Sequence, residues 1–336
     1  MKMVVGVILA GGYGKRLKPI TDEVPKPLVE IKENYTILDK QILDLKYAGI
    51  DEVYLLVGYL WEKIRDRYGD VWNGVKINYL VEDKPQGTLF ALKNCFNELD
   101  EDAVVRNGDV VADFNIREMI RFAQLNRDAL LTIAITRMRS PYGIIDFKDN
   151  LILSFREKPL LDYYINAGVY YIKKEAYEYF NREYSDKAVE RTVFPLIAEM
   201  RRAYIFREDN VFWQSVDSMK DLERVREEYR NKEDKPWGYE KMVVLTEKYM
   251  VKELYLKKGY ETSLHYHPRK DETMHIKFGT GFIEIDGKKI AVKKGDVVRI
   301  EPGMKHRIIA SENMMLYEYS TPHAEDTVRI SDPYSR

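Results

Sequence analysis

The chain has no histidine before position 265, and all five of its histidines lie from there onward. Whatever chemistry the first three-quarters of the sequence performs therefore proceeds without an imidazole base. A single cysteine, Cys95, excludes an internal disulfide, and within ALKNCFNEL it reads as a buried helical thiol. No apolar run approaches the roughly 20 residues of a membrane-spanning helix, and the first apolar segment passes directly into a glycine-rich loop. A cytoplasmic location without membrane contact is expected. Excess charge is missing too, since a formal net charge of −1 excludes nucleic-acid binding through a bulk positive field. Any anionic ligand must be held by cations placed one at a time.

What the chain does have is 336 residues, 45% of them hydrophobic, which suffices for about two domains with real cores at the usual ~100–200 residues each. The most informative stretch is LAGGYGKRLKPITDEVPKPL, residues 9–28. The apolar run from Met3 to Leu9 reads as a buried strand that breaks into Gly11, Gly12 and Gly14. Lys15 and Arg16 follow at once, and Lys26 sits between Pro25 and Pro27. Glycines let the backbone approach a ligand closely and expose N–H donors, which makes an anion cradle. Arg16 can fork onto phosphate oxygens, while Lys26 is a point charge held by two rigid neighbours. The loop is not GxxxxGK[ST], because no Ser or Thr follows the lysine, nor GxGxxG, because position 17 is Leu. It reads as a polyphosphate site. Phosphoryl-type transfer suits a region without histidine, since a phosphate nucleophile is already ionised and positioning with metal ions can carry the step.

Short β-rich runs at 3–9, 52–58, 75–81 and 103–107 alternate with helical patterns at 35–48, 60–68 and 88–98. That alternation predicts βαβ units and a mostly parallel sheet, whose ligands lie beyond the carboxyl ends of the strands. From about residue 129 the pattern is mixed, with strands near 130–136, 143–147, 151–157 and 166–172. A charged helix over 218–230 runs into the polar stretch NKEDKP, where the domain boundary falls, dividing the chain into 1–232 and 236–336. After Pro236, turn signals at Lys257–Gly259, Asp286–Gly287, Lys294–Gly295 and Pro302–Gly303 predict an all-β domain.

Asp109 follows the apolar run AVVRN in NGDVVAD, and a carboxylate at the mouth of a parallel strand is placed to hold a metal. Asp217, in FWQSVDSMKDL, stands where a strand ends and a helix begins, and it can equally be a helix N-cap. Gln86, Gly87 and Thr88 lie on a turn that opens a helix, with a plain helix start as the other reading. The string GGxGxRLxPxTxxxPKPL, followed in order by these segments and by PYGIIDF (141–147), REKP (156–159) and INAGVYYI (165–172), resembles the sugar-1-phosphate nucleotidylyltransferases over roughly residues 3–230. The resemblance implies a Rossmann-like α/β nucleotidyltransferase domain in which Asp109 and Asp217 bind Mg²⁺ and Arg16 and Lys26 are the catalytic cations. It places Gly11, Gly12, Gly14, Lys15, Gln86, Gly87 and Thr88 at the nucleotide. Gly143 and Asn166 would line a sugar pocket, Glu157 would bond sugar hydroxyls, and Lys158 would meet the sugar phosphate. Leu89 stands where that family has alanine.

The histidines belong to a second pattern. Gly259, His265, His267, Glu272 and Gly279 fit G(x)5HxH(x)4E(x)6G, and Pro302, Gly303 and His306 follow in EPGMKHRI. Both resemble the cupin motifs, with Glu301 and Ala310 where the family has proline and asparagine. Residues two apart on a strand share a face, so His265 and His267 can bind one ion, with Glu272 and His306 completing the set. Such a His₃Glu group suits Zn²⁺, Fe²⁺, Mn²⁺ or Ni²⁺. PWGYEKMV (236–243), SLHYHPRKDE and PGMKHRI are similar to the cupin of type II mannose-6-phosphate isomerases, although His265 replaces a glutamine. The implied fold is an all-β cupin, a double-stranded β-helix or jelly roll.

Together the resemblances imply a bifunctional sugar-phosphate enzyme acting on nucleoside triphosphates and sugar phosphates. Its first domain would form GDP-mannose and pyrophosphate from GTP and mannose 1-phosphate. Its cupin would interconvert mannose 6-phosphate and fructose 6-phosphate through an enediol(ate). A UTP- or dTTP-dependent glucose-1-phosphate transferase, or a GTP-dependent heptose-1-phosphate transferase, is the alternative, with a cupin of other specificity or one that only senses sugar. A homo-oligomer, in the form of a dimer, fits the habit of cupins.

Overall fold

Four apolar runs form the heart of the N-terminal half: Asp102–Asn107, Val4–Leu9, Glu52–Val57 and Val75–Val81 lie side by side in that order, all parallel. In the computed structural model, which describes residues 3–84, 86–209 and 211–334, their registers pair Leu9 with Asn107 on one side and Leu56 on the other. Their carboxyl ends therefore line up along one edge, and the glycine loop leaves from the middle of it. Leu160–Ile172 adds on antiparallel beside Asp102–Asn107, followed by Leu131–Arg139 and Ala203–Arg207, while Val71–Trp72 closes the opposite side of an eight-stranded sheet. Helices pack on both faces, so the parallel strands are buried on both sides, as their continuous apolar runs demand.

The elements expected from the sequence are present with shifted ends. The helix expected over 35–48 runs Ile37–Tyr47, starting where Thr36 and Asp39 form a reciprocal capping box, and Tyr35–Thr36 is itself extended. The strand expected near 166–172 begins at Leu160, because its exposed first half pairs with Arg137–Arg139 through register shifts that break any apolar alternation. Two three-residue strands, Val110–Ala112 and Trp213–Ser215, pair antiparallel and match Val110 with Ser215.

Charge is buried beneath this edge. Asp44 accepts from Arg106 Nη1 at 2.7 Å and from Lys40 Nζ at 2.7 Å, and Lys40 also meets Asp113 at 3.1 Å, all within side chains that are nearly inaccessible. Gln41 Nε2, one residue from Lys40, donates to the carbonyls of Asn107 and Val110 and so clamps the turn that carries Asp109.

The chain divides into two compact units, Met1–Glu30 with Tyr35–Asp221 and Ile31–Asn34 with Leu222–Arg336, so the division falls within the helix Met219–Tyr229. After the helix, the second unit is antiparallel β-structure from Lys232 onward. A six-stranded sheet contains Glu272–Phe278 beside Met314–Ser320, and a five-stranded sheet contains Thr280–Ile285, His306–Ala310, Leu264–Tyr266 and Val328–Ser331. Their inner faces bury Leu256, Ile276, Ile283, Ile308, Met314 and Leu316. Two antiparallel sheets around one apolar core are the architecture of a cupin. Among the described residues, no helix is long and apolar enough to cross a membrane.

Removing the shared acid of the buried network leaves two cations without it. Asp44→Ala is expected to cost about 3–5 kcal/mol, read as a lowered urea midpoint. A loss below about 1 kcal/mol would show that the network does not hold the strand edge.

Candidate functional site

The glycine loop opens a cavity of about 390 Å³ at the carboxyl edge of the parallel sheet, lined by Gly11, Gly12, Gly14, Lys15, Arg16, Lys26, Gly87, Thr88, Asp109 and Asp217 among others. Gly14 has φ +60°, and a Cβ there would stand 2.9 Å from Thr21 Cγ2, so both conformation and space select glycine. Asp109 arrives on the turn after Asp102–Asn107. Asp217 arrives two residues after Ser215, whose pairing with Val110 puts the two carboxylates side by side. A backbone bond from Val216 N–H to Asp109 O at 2.8 Å locks that alignment.

Lys26 Nζ sits between them, 2.8 Å from Asp109 Oδ2 and 3.3 Å from Asp217 Oδ1, and Arg16 Nη2 reaches Asp217 Oδ1 at 2.8 Å. Partial burial works to raise the Asp217 pKa, but Lys26, the Ser215 hydroxyl and Arg16 together hold it below the usual carboxylate value. The helix-cap alternative for Asp217 is occupied by another residue. Ser218 and Asp221 bond reciprocally at the start of the helix, leaving the Asp217 carboxylate to the cavity.

The other expected residues divide. Gly87, at φ +101°, packs against Lys187 so tightly that a Cβ would lie 2.6 Å from its carbonyl, and Thr88 Oγ1 accepts from Val189 N–H at 3.1 Å rather than capping its helix. Gln86 turns its backbone N–H toward Glu82. Gly143, Glu157, Lys158 and Asn166 do not line this cavity. A Cβ on Gly143 would stand 3.1 Å from Glu157 Oε2, Lys158 Nζ lies 3.4 Å from Glu157 Oε1, and Asn166 Nδ2 donates to Tyr170 OH at 2.8 Å. Glu82 and Asn107, which line the cavity, were not expected. Their one sequence signal is the same as for Asp109, a polar residue at the carboxyl end of a parallel strand.

In the second unit, the ligand atoms of His265, His267 and His306 all lie within 4.8 Å of one another. His265 and His306 are direct cross-strand partners. Glu272, at the start of the facing sheet's strand, puts Oε1 2.7 Å from His306 Nε2 and Oε2 3.7 Å from His267 Nε2. Each ring is anchored through Nδ1: His265 to Ser263 O at 2.8 Å, His267 to Asp326 Oδ1 at 3.0 Å, His306 to Met304 O at 3.1 Å. Carbonyl and carboxylate oxygens only accept, so each Nδ1 carries a proton, the tautomer that leaves Nε2 of a neutral ring to a metal. Burial, reinforced by His306, pulls the His265 pKa down to about 3, and burial with Lys270 nearby pulls His267 to about 4. Both rings are neutral at pH 7, as ligation requires. Burial works to raise the Glu272 pKa, yet contact with His306 and Lys270 keeps it well below the carboxylate range. Nε2 of His267 and His306 and Oε1 of Glu272 are buried without a donor to satisfy them, the state of atoms arranged for a metal. Lys270 Nζ, itself buried, bridges Glu272 Oε2 at 2.8 Å and Glu318 Oε1 at 2.9 Å. Asp326, Lys270's bridge and Glu318 complete the surroundings; Asp326 lies in a polar tail segment that carries no motif.

The nucleotidyl transferase family model matches residues 5–232, and the cupin domain model matches residues 253–318. A mannose-1-phosphate guanyltransferase of Kluyveromyces lactis is 35% identical over 230 residues, 65% of this chain and 62% of that protein. A D-glycero-alpha-D-manno-heptose 1-phosphate guanylyltransferase of Aneurinibacillus thermoaerophilus is 35% identical over 176 residues, 51% of this chain and 76% of that protein. The chain thus spans less than two-thirds of the length of the Kluyveromyces relative. A solved structure from Bacillus anthracis, described as a glucose-1-phosphate thymidylyltransferase in complex with sucrose, shares the fold with a TM-score of 0.56 at 21% identity, over 68% of this chain and 96% of that one.

The convergence of these buried ligand atoms leads to a direct test. Protein purified without chelator is expected to carry about one equivalent of a transition metal by elemental analysis, and His306→Ala to carry less than a tenth of that. Metal-free protein that neither takes up Zn²⁺, Fe²⁺, Mn²⁺ or Ni²⁺ nor gains thermal stability from them would rule the centre out.

Proposed function

Because the chain belongs to the nucleotidyl transferase family over residues 5–232, we propose that this region, set off from a cupin at 236–336, transfers a nucleotidyl group from a nucleoside triphosphate to a sugar 1-phosphate. GTP and mannose 1-phosphate are the pair we assign, in keeping with the guanyltransferase relative. The observation that carries the reading is the meeting of Asp109, Asp217, Lys26 and Arg16 at the mouth of a glycine-lined cavity.

An oxygen of the sugar phosphate attacks the α-phosphorus in line, a new P–O bond forms, and pyrophosphate departs with the electrons of the bond that breaks. The attacking oxygen is already ionised, so no general base is needed, in accord with a region that has no histidine. The loop amides and Arg16 balance the triphosphate charge. Lys26, held on both carboxylates, positions the phosphates without free rotation. Asp109 and Asp217 fit Mg²⁺ because their oxygens already converge on one cation, the Lys26 ammonium. When bound, the ion would neutralise charge that develops on the phosphate oxygens.

For the cupin we assign interconversion of mannose 6-phosphate and fructose 6-phosphate. His265, His267, Glu272 and His306 would hold the transition metal, which would polarise the sugar oxygens. Lys270, whose pKa burial works to lower but Glu318 and Glu272 raise, stays protonated beside that set and supplies a fixed positive charge.

Pyrophosphate release should be measured with Mg²⁺ across GTP, UTP, dTTP, CTP and ATP, each with mannose 1-phosphate and glucose 1-phosphate. GTP with mannose 1-phosphate is expected to turn over fastest, and Asp109→Asn to lower that rate by about 10³-fold or more with an unchanged circular dichroism spectrum. Near-normal turnover by the variant would sink the assignment of the site. Another preferred pair would keep the transfer reaction and remove the mannose link on which the isomerase assignment leans.

A further inference from the structure

The three rings of the cupin centre are not held alike. His265 and His306 each anchor Nδ1 on a main-chain carbonyl two residues back, Ser263 O and Met304 O. Their orientation is set locally, by their own strands. His267 is anchored instead by the Asp326 side chain, 59 positions later in the sequence. That segment reaches the ring because Val328–Ser331 folds back on Leu264–Tyr266, pairing Tyr266 with Val328 and His265 with Arg329.

Both oxygens of Asp326 are committed. Oδ1 accepts from His267 Nδ1 at 3.0 Å, and Oδ2 accepts from the backbone N–H groups of Arg269 and Lys270, each at 2.9 Å. The His267 and Asp326 side chains are only 4% and 5% exposed, so water has little access to compete. The Thr327 hydroxyl, 3.5 Å from the same ring nitrogen, can donate or accept and so does not choose a tautomer. On the far side of the ring, Glu272 Oε2 lies 3.7 Å from Nε2, beyond hydrogen-bond distance. The nearer carboxylate therefore decides where the proton of the neutral ring sits.

We propose that Asp326 is a positioning residue that fixes the metal-binding tautomer of His267 and ties metal binding to the docking of the last strand. The inference rests on the metal-centre reading of the cupin and not on the isomerase assignment.

The geometry gives an isosteric substitution a specific effect. In Asp326→Asn the amide oxygen must take the Oδ2 place, where two backbone N–H groups can only donate. The amide NH₂ then faces His267 Nδ1 and can only donate as well. That drives the ring proton onto Nε2 and removes the lone pair a metal needs. Asp326→Ala loses the anchor but leaves the tautomer free. A merely structural role predicts the reverse order of damage, because asparagine keeps the loop bonds that alanine loses.

Ring ¹⁵N chemical shifts of metal-free protein read the tautomer directly, with His267 assigned as the signals missing from His267→Gln. The Nδ1–H form is expected in the intact protein and the Nε2–H form in Asp326→Asn. Zn²⁺ affinity, measured by competition with a chromophoric chelator and with His306→Ala as the blank, should weaken about 10-fold in Asp326→Ala and about 100-fold in Asp326→Asn. Because coupling is reciprocal, Zn²⁺ should also slow amide exchange over Val328–Ser331 in the intact protein. An Nε2–H ring in the intact protein would overturn the proposal whether or not the variants fold, and so would exchange that Zn²⁺ leaves unchanged. An affinity in Asp326→Asn equal to or better than that in Asp326→Ala would do the same. Each of these leaves the metal centre standing. Intact protein that binds no Zn²⁺ would bring down that centre and this inference together.

Discussion

Two carboxylates sharing one ammonium are the constraint around which the first unit is arranged. Asp109 and Asp217 would repel each other if brought together alone, and in a partly buried setting such repulsion is of the order of several kcal/mol. Lys26, only 13% exposed, absorbs it by contacting both. The backbone does the rest: the Val110–Ala112 and Trp213–Ser215 ladder aligns the two acids, and Gln41 fixes the turn between Asn107 and Val110 from below. The buried Arg106–Asp44–Lys40 network in turn keeps the helix that bears Gln41 against the sheet. Each layer is there to hold the geometry of the one above.

The second unit solves a related problem by opposite means. Its three imidazoles and one carboxylate are withdrawn from water; burial keeps the His265 and His267 rings neutral, and oxygen acceptors at Nδ1 orient all three. Oxygen donors at a solvent-facing mouth favour a hard ion that retains water, whereas buried nitrogen donors favour a transition metal. Selection between metals thus follows from where the donors lie as much as from what they are.

The parts of both sites that the sequence made legible are those carried by local spacing. The glycine loop with Arg16 and Lys26 is one contiguous string, and His265, His267 and Glu272 fall within one hairpin-length segment. Asp109 could be read because a polar residue ends an apolar strand. Glu82 ends its strand in the same way but is followed by Asp83 and Lys84, the composition of an ordinary charged loop, which hides it. Asp326 gave no signal, since its place beside His267 depends on the Val328–Ser331 strand folding back along Leu264–Tyr266. Strands of three residues, such as Val110–Ala112 and Trp213–Ser215, are too short to show a period of two. What pairs them is the tertiary fold.

The short ladder also has a meaning in time. It joins segments about a hundred residues apart, and the Arg16–Asp217 contact spans 201 positions. Chains emerge from the ribosome N-terminus first, at about 5–20 residues per second, and long-range pairings form after local ones. The glycine cradle is therefore made well before the second acid, which comes only when nearly all of the first unit exists. A nascent chain would pass through a stage in which the loop and the first acid exist without the second, and the full constellation would arrive in one step, with the last strand.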